Sequence, residues 1–346
     1  MKYMSLKKIL SVSTLVLAAF VMSSSLLSCQ KSEREKEVVV YAYDSFAGEW
    51  GPGPELVKRF NEKTGLTLNL VNCGKALSAY NRVLLEKNDV QADVLLGLDN
   101  IMAEEARKEN VFLAYQPKGA KENIAPELEE ALGGDWLFTP YDYSHFSIIY
   151  DTQSSVPAPT SLSDLTKSEY EKKLILMDPR TSTPGLGFLA WTVSVFGEET
   201  MDYWKELKPS ILAMTPGWSA GWNMFMSGEA PLVISYTTSP AYNVVEENNN
   251  RYVALTFAQG HVEQVECAAI VKGTKNLSGA KTFIDFLVSE YAQEVLPKTQ
   301  WMYPANKNVS LPEGFAEAAP VPALTLPVNS LSTQNAVSAV IKLLSD

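Results

Sequence analysis

Three groups of residues in this 346-residue chain have the types and spacing to hold a small molecule. The first is Asp178-Pro179-Arg180-Thr181-Ser182-Thr183-Pro184-Gly185, where a strand-like run gives way to a helix-like one. Free backbone N–H groups at a helix start, joined by the Ser182 and Thr183 hydroxyls, make a pocket for an anion. A plain helix cap with Pro184 at the first helical position accounts for the same residues. The second group is Lys75, Ala76 and Ser78, opening a helix after the run Leu66 to Val71. A lysine at a helix start opposes the helix dipole, so it either serves a ligand or sits in solvent. The third is aromatic: Tyr43 and Trp50 in YAYDSFAGEWGPGP, Trp218 in GWSAGW, Tyr236 and Tyr242 in SYTTSPAY, and Trp301 in WMYP. Indole and phenol faces suit flat or cationic rings, and the hydroxyls of Thr237, Thr238 and Ser239 suit polar edges. Each aromatic taken alone serves equally well as core packing.

Other chemistry is thinly supplied. The chain has two histidines, His145 and His261, and three cysteines, Cys29, Cys73 and Cys267, with no CxxC or HExxH spacing. No metal or other cofactor is therefore expected. A net charge of -11 argues against a nucleic-acid partner, which wants a concentrated positive surface. At 46% hydrophobic and 20% charged the composition is that of a globular protein with a large core, and the length suits two domains.

Those groups need elements to position them. Residues 38 to 43 form a β-branched strand, followed by a Gly/Pro loop and an amphipathic helix from Pro54 to Gly65. Strand-like runs at Leu66 to Val71 and Ala92 to Leu96 alternate with helical ones at Ala76 to Glu86 and Met102 to Lys108. The alternation resumes as Leu174 to Met177, Pro184 to Phe196, Ile211 to Met214, Trp218 to Met226 and Leu232 to Tyr236. Two α/β units with parallel sheets follow. The extended runs Leu137 to Tyr150 and Tyr252 to Val271 carry the chain between them, which makes a two-crossing hinge. Helices at Leu277 to Val295 and Gln334 to Leu344 flank a Pro-rich surface wrap, Pro304 to Pro327. The expected division is 38–141 with 253–312 as lobe one, 142–252 as lobe two, and 313–346 as a C-terminal wrap and helix.

The amino terminus carries an address. Lys2, Lys7 and Lys8 precede an apolar run from Ile9 to Met22 and a serine-rich zone to Ser28, the layout of a signal peptide over residues 1–28. Leu26-Leu27-Ser28-Cys29 resembles a bacterial lipobox, so Cys29 is expected to be lipidated and to anchor the mature chain to a membrane outside the cytoplasm. Residues 29–37 then read as a disordered tether, and removal of three lysines leaves a net charge of -14.

The strings YAYDSFAGEWGPGP, LLGLDN, DPRTSTPGLG, TPGWS, SYTTSPAY and WMYP together resemble those of bacterial thiamine-binding periplasmic receptors, from about Val38 to Pro312. The resemblance implies a periplasmic-binding-protein type II fold, two α/β lobes with thiamine, thiamine monophosphate or thiamine diphosphate between them, and delivery by a monomer to the permease of an ABC transporter. It also implies ligand contacts at Ser182, Thr183, Trp218, Tyr236, Thr237, Thr238 and Ser239, with Tyr43, Trp50, Tyr242 and Trp301 as aromatic contacts. Where such receptors carry an Asp-Gly pair, this chain has Lys75-Ala76, a reversed charge that would favour phosphorylated ligands. The paired cysteines of some such receptors are missing, so Cys73 and Cys267 are expected as buried free thiols. A thiamine-cleaving enzyme is the rival class, with Cys73 as nucleophile, activated by Lys75 and a helix N-terminus.

Overall fold

The structure, a computed structural model, describes residues 34–346; the expected signal peptide and Cys29 lie outside the described residues. Strands β1 (Glu37–Ala42), β2 (Thr67–Asn72), β3 (Val94–Asp99) and the short β4 (Phe112–Leu113) come first. After them run β5 (Thr139–Asp151), β6 (Leu174–Met177), β7 (Ile211–Thr215), β8 (Leu232–Tyr236) and β9 (Tyr252–Ala254). The chain then forms β10 (His261–Val271), β11 (Tyr303–Pro304) and β12 (Thr325–Leu326). The sheet order is β2-β1-β3-β10-β5-β8-β6-β7. The outer members are parallel, β1 with β2 and β3, and β6 with β7 and β8. Between them β10 and β5 run antiparallel.

Helices cover the sheet: α1 (Gly53–Thr64), α2 (Ala76–Leu85), α3 (Asn100–Lys108), α4 (Thr183–Phe196), α5 (Trp218–Met226), α6 (Ala241–Glu247), α7 (Leu277–Leu287) and α8 (Ser330–Ser345). Local chemistry sets their ends. Asp99 caps α3 by accepting the Ile101 and Met102 N–H groups at 3.0 and 3.1 Å. Gly65, at φ 70°, closes α1 in the left-handed conformation that favours glycine. None of the helices among the described residues is long and apolar enough to cross a membrane.

One strand belongs to both halves of the sheet. Thr139–His145 of β5 pairs with β10, whereas Phe146–Tyr150 pairs with β8. The return passage runs from β9 to β10, and His261 staples it there: Nε2 accepts the Phe257 N–H at 2.7 Å while Nδ1 donates to the Phe146 carbonyl at 2.8 Å. Burial holds this imidazole neutral by lowering its pKa.

Three expectations need correction. The helix read over 277–295 stops at Leu287, because Ser289 turns its hydroxyl back to the Phe286 carbonyl at 2.6 Å and starts a separate turn, Glu290–Gln293. The tether is not free to its end: Arg34 grips the fully buried Asp93 with two contacts of 2.8 Å and donates to the Glu37 carbonyl at 2.7 Å. The Pro-rich stretch does more than wrap the surface, since β11 pairs with β5 and β12 with β10. Beyond it α8 lies on α4, and Lys208 Nζ donates to the Leu343 carbonyl at 2.9 Å.

The ladders on both sides of β10 slip at Cys267. Against β5 the register steps from Glu266 opposite Asp142 to Cys267 opposite Pro140, leaving Tyr141 as an extra residue. Against β3 it steps from Leu98 to Leu96, leaving Gly97 extra. Such bulges bend a strand and re-aim its side chains. Gly97 sits at φ 99°, and a Cβ there would fall 2.4 Å from the Tyr43 ring. Gly97→Ala is therefore expected to cost about 2 kcal/mol or more through strain and overpacking. Denaturant unfolding checks this, and a loss below about 0.5 kcal/mol would mean that β3 relaxes freely there.

Candidate functional site

The carboxyl ends of β1, β2, β6, β7 and β8 converge on a cleft of about 580 Å³, the usual place for ligands in open parallel sheets. Tyr43 follows β1, Lys75 and Ala76 follow β2, Ser182 and Thr183 follow β6, and Trp218 follows β7. Tyr236 ends β8, with Ser239 and Tyr242 beyond it, and Trp301 comes from the segment before β11. All of these, with Trp50, line the cleft.

Aromatic rings form much of its wall. Trp218 stacks on Trp222 with centroids 5.4 Å apart, and Trp50, more than half exposed, meets Trp218 at 5.9 Å. The Trp218 indole N–H donates to Ser235 Oγ at 2.7 Å, which fixes the ring plane. Tyr236 lies on Phe146, and Tyr242 stands edge-on to Trp301 at 5.6 Å. Trp301 itself has φ 57°, a left-handed backbone costing about 1 to 2 kcal/mol in a non-glycine residue. Its N–H bond to the Leu296 carbonyl at 3.0 Å and its stacking on Phe315 hold it there.

The polar groups divide by charge. At the start of α4, Ser182 occupies the N-cap position without a side-chain cap bond, and its buried Oγ has no partner. The simple capping role is thus unfilled, and the hydroxyl stays available beside the Thr183 side chain. Opposite, Lys75 donates to Asp44 and lays its methylenes along Gly217, where a Cβ would fall 2.6 Å from Lys75 Cδ. At the cleft floor Glu266 accepts the Tyr43 hydroxyl at 2.7 Å and the Tyr141 hydroxyl at 3.1 Å. Burial pushes the Glu266 carboxyl up to about 7.

Two expected contacts are not on the cleft. Thr237 and Thr238 are fully buried, and both hydroxyls lie 3.2 Å from Ser144 Oγ. Past the end of β8 the chain turns, so Tyr236 faces the cleft while the threonines plug the sheet behind it. Cys73 is also absent from the lining; it is half-buried rather than buried, and not bridged to the buried Cys267. Burial raises its thiol pKa despite the pull of Arg82 at 3.7 Å, the reverse of an activated nucleophile. Lys75, expected to assist it, is held by Asp44 instead.

Sequence reasoning missed Asp44, Gln300 and Glu266. The last left a signal, a lone acid in the otherwise apolar run Val265-Glu266-Cys267-Ala268-Ala269-Ile270-Val271. A charge inside a buried strand calls for a partner or a purpose.

Residues 89–326 match the sequence model of a family described as bacterial extracellular solute-binding protein. The thiamine-binding periplasmic protein of Escherichia coli is 41% identical over 305 residues, 87% of this chain and 90% of the relative. That of Brucella melitensis is 39% identical over 297 residues, 85% and 87% of the two chains. The chain belongs to the bacterial extracellular solute-binding proteins, among the thiamine-binding periplasmic proteins. A solved periplasmic thiamin binding protein superposes on this solute-binding protein with a TM-score of 0.81 at 38% identity, covering 89% of this chain and 95% of the other. A ferric binding protein from Campylobacter jejuni, 20% identical, superposes at 0.72 and shares the fold alone. The fold of this solute-binding protein is accordingly the type II periplasmic-binding-protein arrangement of two α/β lobes.

Proposed function

We propose that this protein is the extracytoplasmic receptor of a thiamine importer, binding thiamine and its phosphates between the lobes as a monomer and handing them to a membrane permease. The observation that carries this reading is the cleft itself, an aromatic wall of Trp50, Trp218, Trp222 and Tyr236 over an acidic floor at Glu266. A thiazolium ring is flat and carries a fixed positive charge, so π faces suit it, and the acidic floor gives the cleft a negative potential that favours a cation. The lobes close by flexing β5 and the β9-to-β10 passage, whose strands are shared or adjoin both halves of the sheet. No reaction is needed, and the related proteins are binding proteins rather than enzymes.

The binding energy is expected to reside in the rings. Trp218→Ala and Tyr236→Ala should each weaken thiamine about tenfold or more in calorimetric titration, in line with about 1 to 2 kcal/mol per desolvated aromatic face and the packing lost with it. Retention of thiamine affinity within twofold by both variants would sink the assignment.

For the phosphate end, the unpartnered Ser182 hydroxyl and the N–H groups at the start of α4 are the natural cradle. Lys75 adds a cation nearby, but Asp44 neutralises it and both side chains keep about a quarter to a third of their surface in solvent. Its contribution to phosphate binding therefore lies at about 0 to 1 kcal/mol, at most about fivefold. Lys75→Met should reduce affinity for thiamine diphosphate by about two- to fivefold and leave thiamine unchanged. Equal losses for the two ligands would show that Lys75 does not sense phosphate.

We further propose that Cys29 is lipidated and holds the receptor on a membrane outside the cytoplasm. The acyl chains contribute about 0.8 kcal/mol per buried CH₂, so more than one chain gives stable anchoring. Cys29→Ser should move the protein from the membrane fraction to the soluble one; unchanged sedimentation with membranes would refute the anchor.

A further inference from the structure

Asp142 and Glu266 stand directly opposite each other on β5 and β10. Two like charges in such a pair repel, and here both residues are almost wholly out of water. Neither carboxyl oxygen of Asp142 has a hydrogen-bond partner when treated as a carboxylate. A proton on Asp142 resolves both problems, since the neutral acid then donates to the carboxylate it faces. Burial and the neighbouring Glu266 charge push the Asp142 pKa far up, in agreement with this arrangement.

Of the two, Glu266 gives up its proton first, because it is the one that receives donors, and with its carboxyl pushed up to about 7 by burial it is the ionised member above neutral pH. Its Oε2 takes the Tyr43 and Tyr141 hydroxyls, and Gln300 Nε2 lies 3.5 Å away. The Tyr43, Tyr141 and Gln300 donors all fall on Oε2, which leaves lone pairs of Oε1 for a ligand, and Glu266 lines the cleft. The slipped ladders at Cys267 turn this strand residue toward the ligand space, and Gly97 clears the room that Tyr43 needs to reach it. The result is an acceptor-only group, braced by two phenols and a neutral acid, in a pocket walled by aromatic rings.

We propose that Glu266, backed by a protonated Asp142, is the specificity group of the cleft, its Oε1 accepting an N–H from the exocyclic amino group of the ligand's aminopyrimidine ring. This deepens the thiamine reading and rests on it. An acceptor-only site rejects a ring that presents a carbonyl oxygen in place of the amino group, because two sets of lone pairs would then face each other without a proton between them.

The test pairs thiamine with oxythiamine, the analogue whose ring amino group is replaced by oxygen, in calorimetric titrations of the mature protein at about pH 8, where Glu266 is ionised. The parent should prefer thiamine by about 100-fold or more, as sites built to hydrogen-bond one substrate group do. Glu266→Gln offers both an acceptor and a donor, so the preference should shrink to within about tenfold, chiefly through gained affinity for oxythiamine. Asp142→Asn keeps a neutral donor toward Glu266 and should preserve the parent's preference. An undiminished preference in Glu266→Gln, or equal loss of both ligands as expected of a plain counter-ion to the thiazolium, would overturn the proposal. Thermal melts identify any variant that fails to fold. The parent alone still decides the matter in that event, because binding of both ligands within tenfold would overturn it. Failure of the parent to bind thiamine at all would instead reject the receptor reading on which the proposal stands.

Discussion

The strand β10 has one more residue opposite it on each side than a regular ladder allows, and both surplus residues, Gly97 and Tyr141, fall at Cys267. Much of the cleft floor depends on that double slip. It bends the strand shared by the antiparallel centre of the sheet and brings Tyr141 to bear on the carboxylate that Asp142 faces. It also places a glycine where any other residue would strike the Tyr43 ring. Asp142 stays directly across from Glu266, because the slip begins one residue further along β10. With the slip, Glu266 acquires hydroxyl donors and a view of the cleft.

The walls solve a different problem. Rings that must meet a ligand cannot also be locked into the core, yet a loose ring loses entropy when it binds. Trp218 is fixed by its indole N–H on Ser235 and by Trp222 beneath it, and Trp301 by a strained backbone held with a hydrogen bond and a stacked phenylalanine. Trp50 differs, being more than half exposed even where it meets Trp218 across the opening. Fixed rings inside and an exposed ring at the mouth are the division the cleft shows.

Much of this was legible in the sequence because most elements are locally consistent. The β-branched run before Tyr43, the glycine after α1 and the apolar run of β6 each state their structure within a few residues. What escaped depends on contacts between distant segments. Thr237 and Thr238 look like contacts because their neighbours are, but the turn after β8 points them at Ser144 on another strand. The charge at Lys75 looks available until Asp44, 31 residues earlier, takes it up. Arg34 reads as part of a polar tether, and only the fold reveals the buried Asp93 that receives it. Glu266 left a signal that went unread, a lone acid in an apolar run, and its partner Asp142 lay in a run already assigned to a crossing.

Arg34 also sets where a load on the preceding chain would enter the fold. It grips Asp93 at the amino-terminal end of β1, whereas Tyr43 and the cleft lie at the opposite end of that strand, about 20 Å away at some 3.3 Å per residue. Any pull on the chain upstream is delivered first to that ion pair and then to β1 along its own axis, where the parallel ladders with β2 and β3 share the load in shear. A lipid on Cys29, as proposed above, would therefore load the pole of the fold remote from the opening.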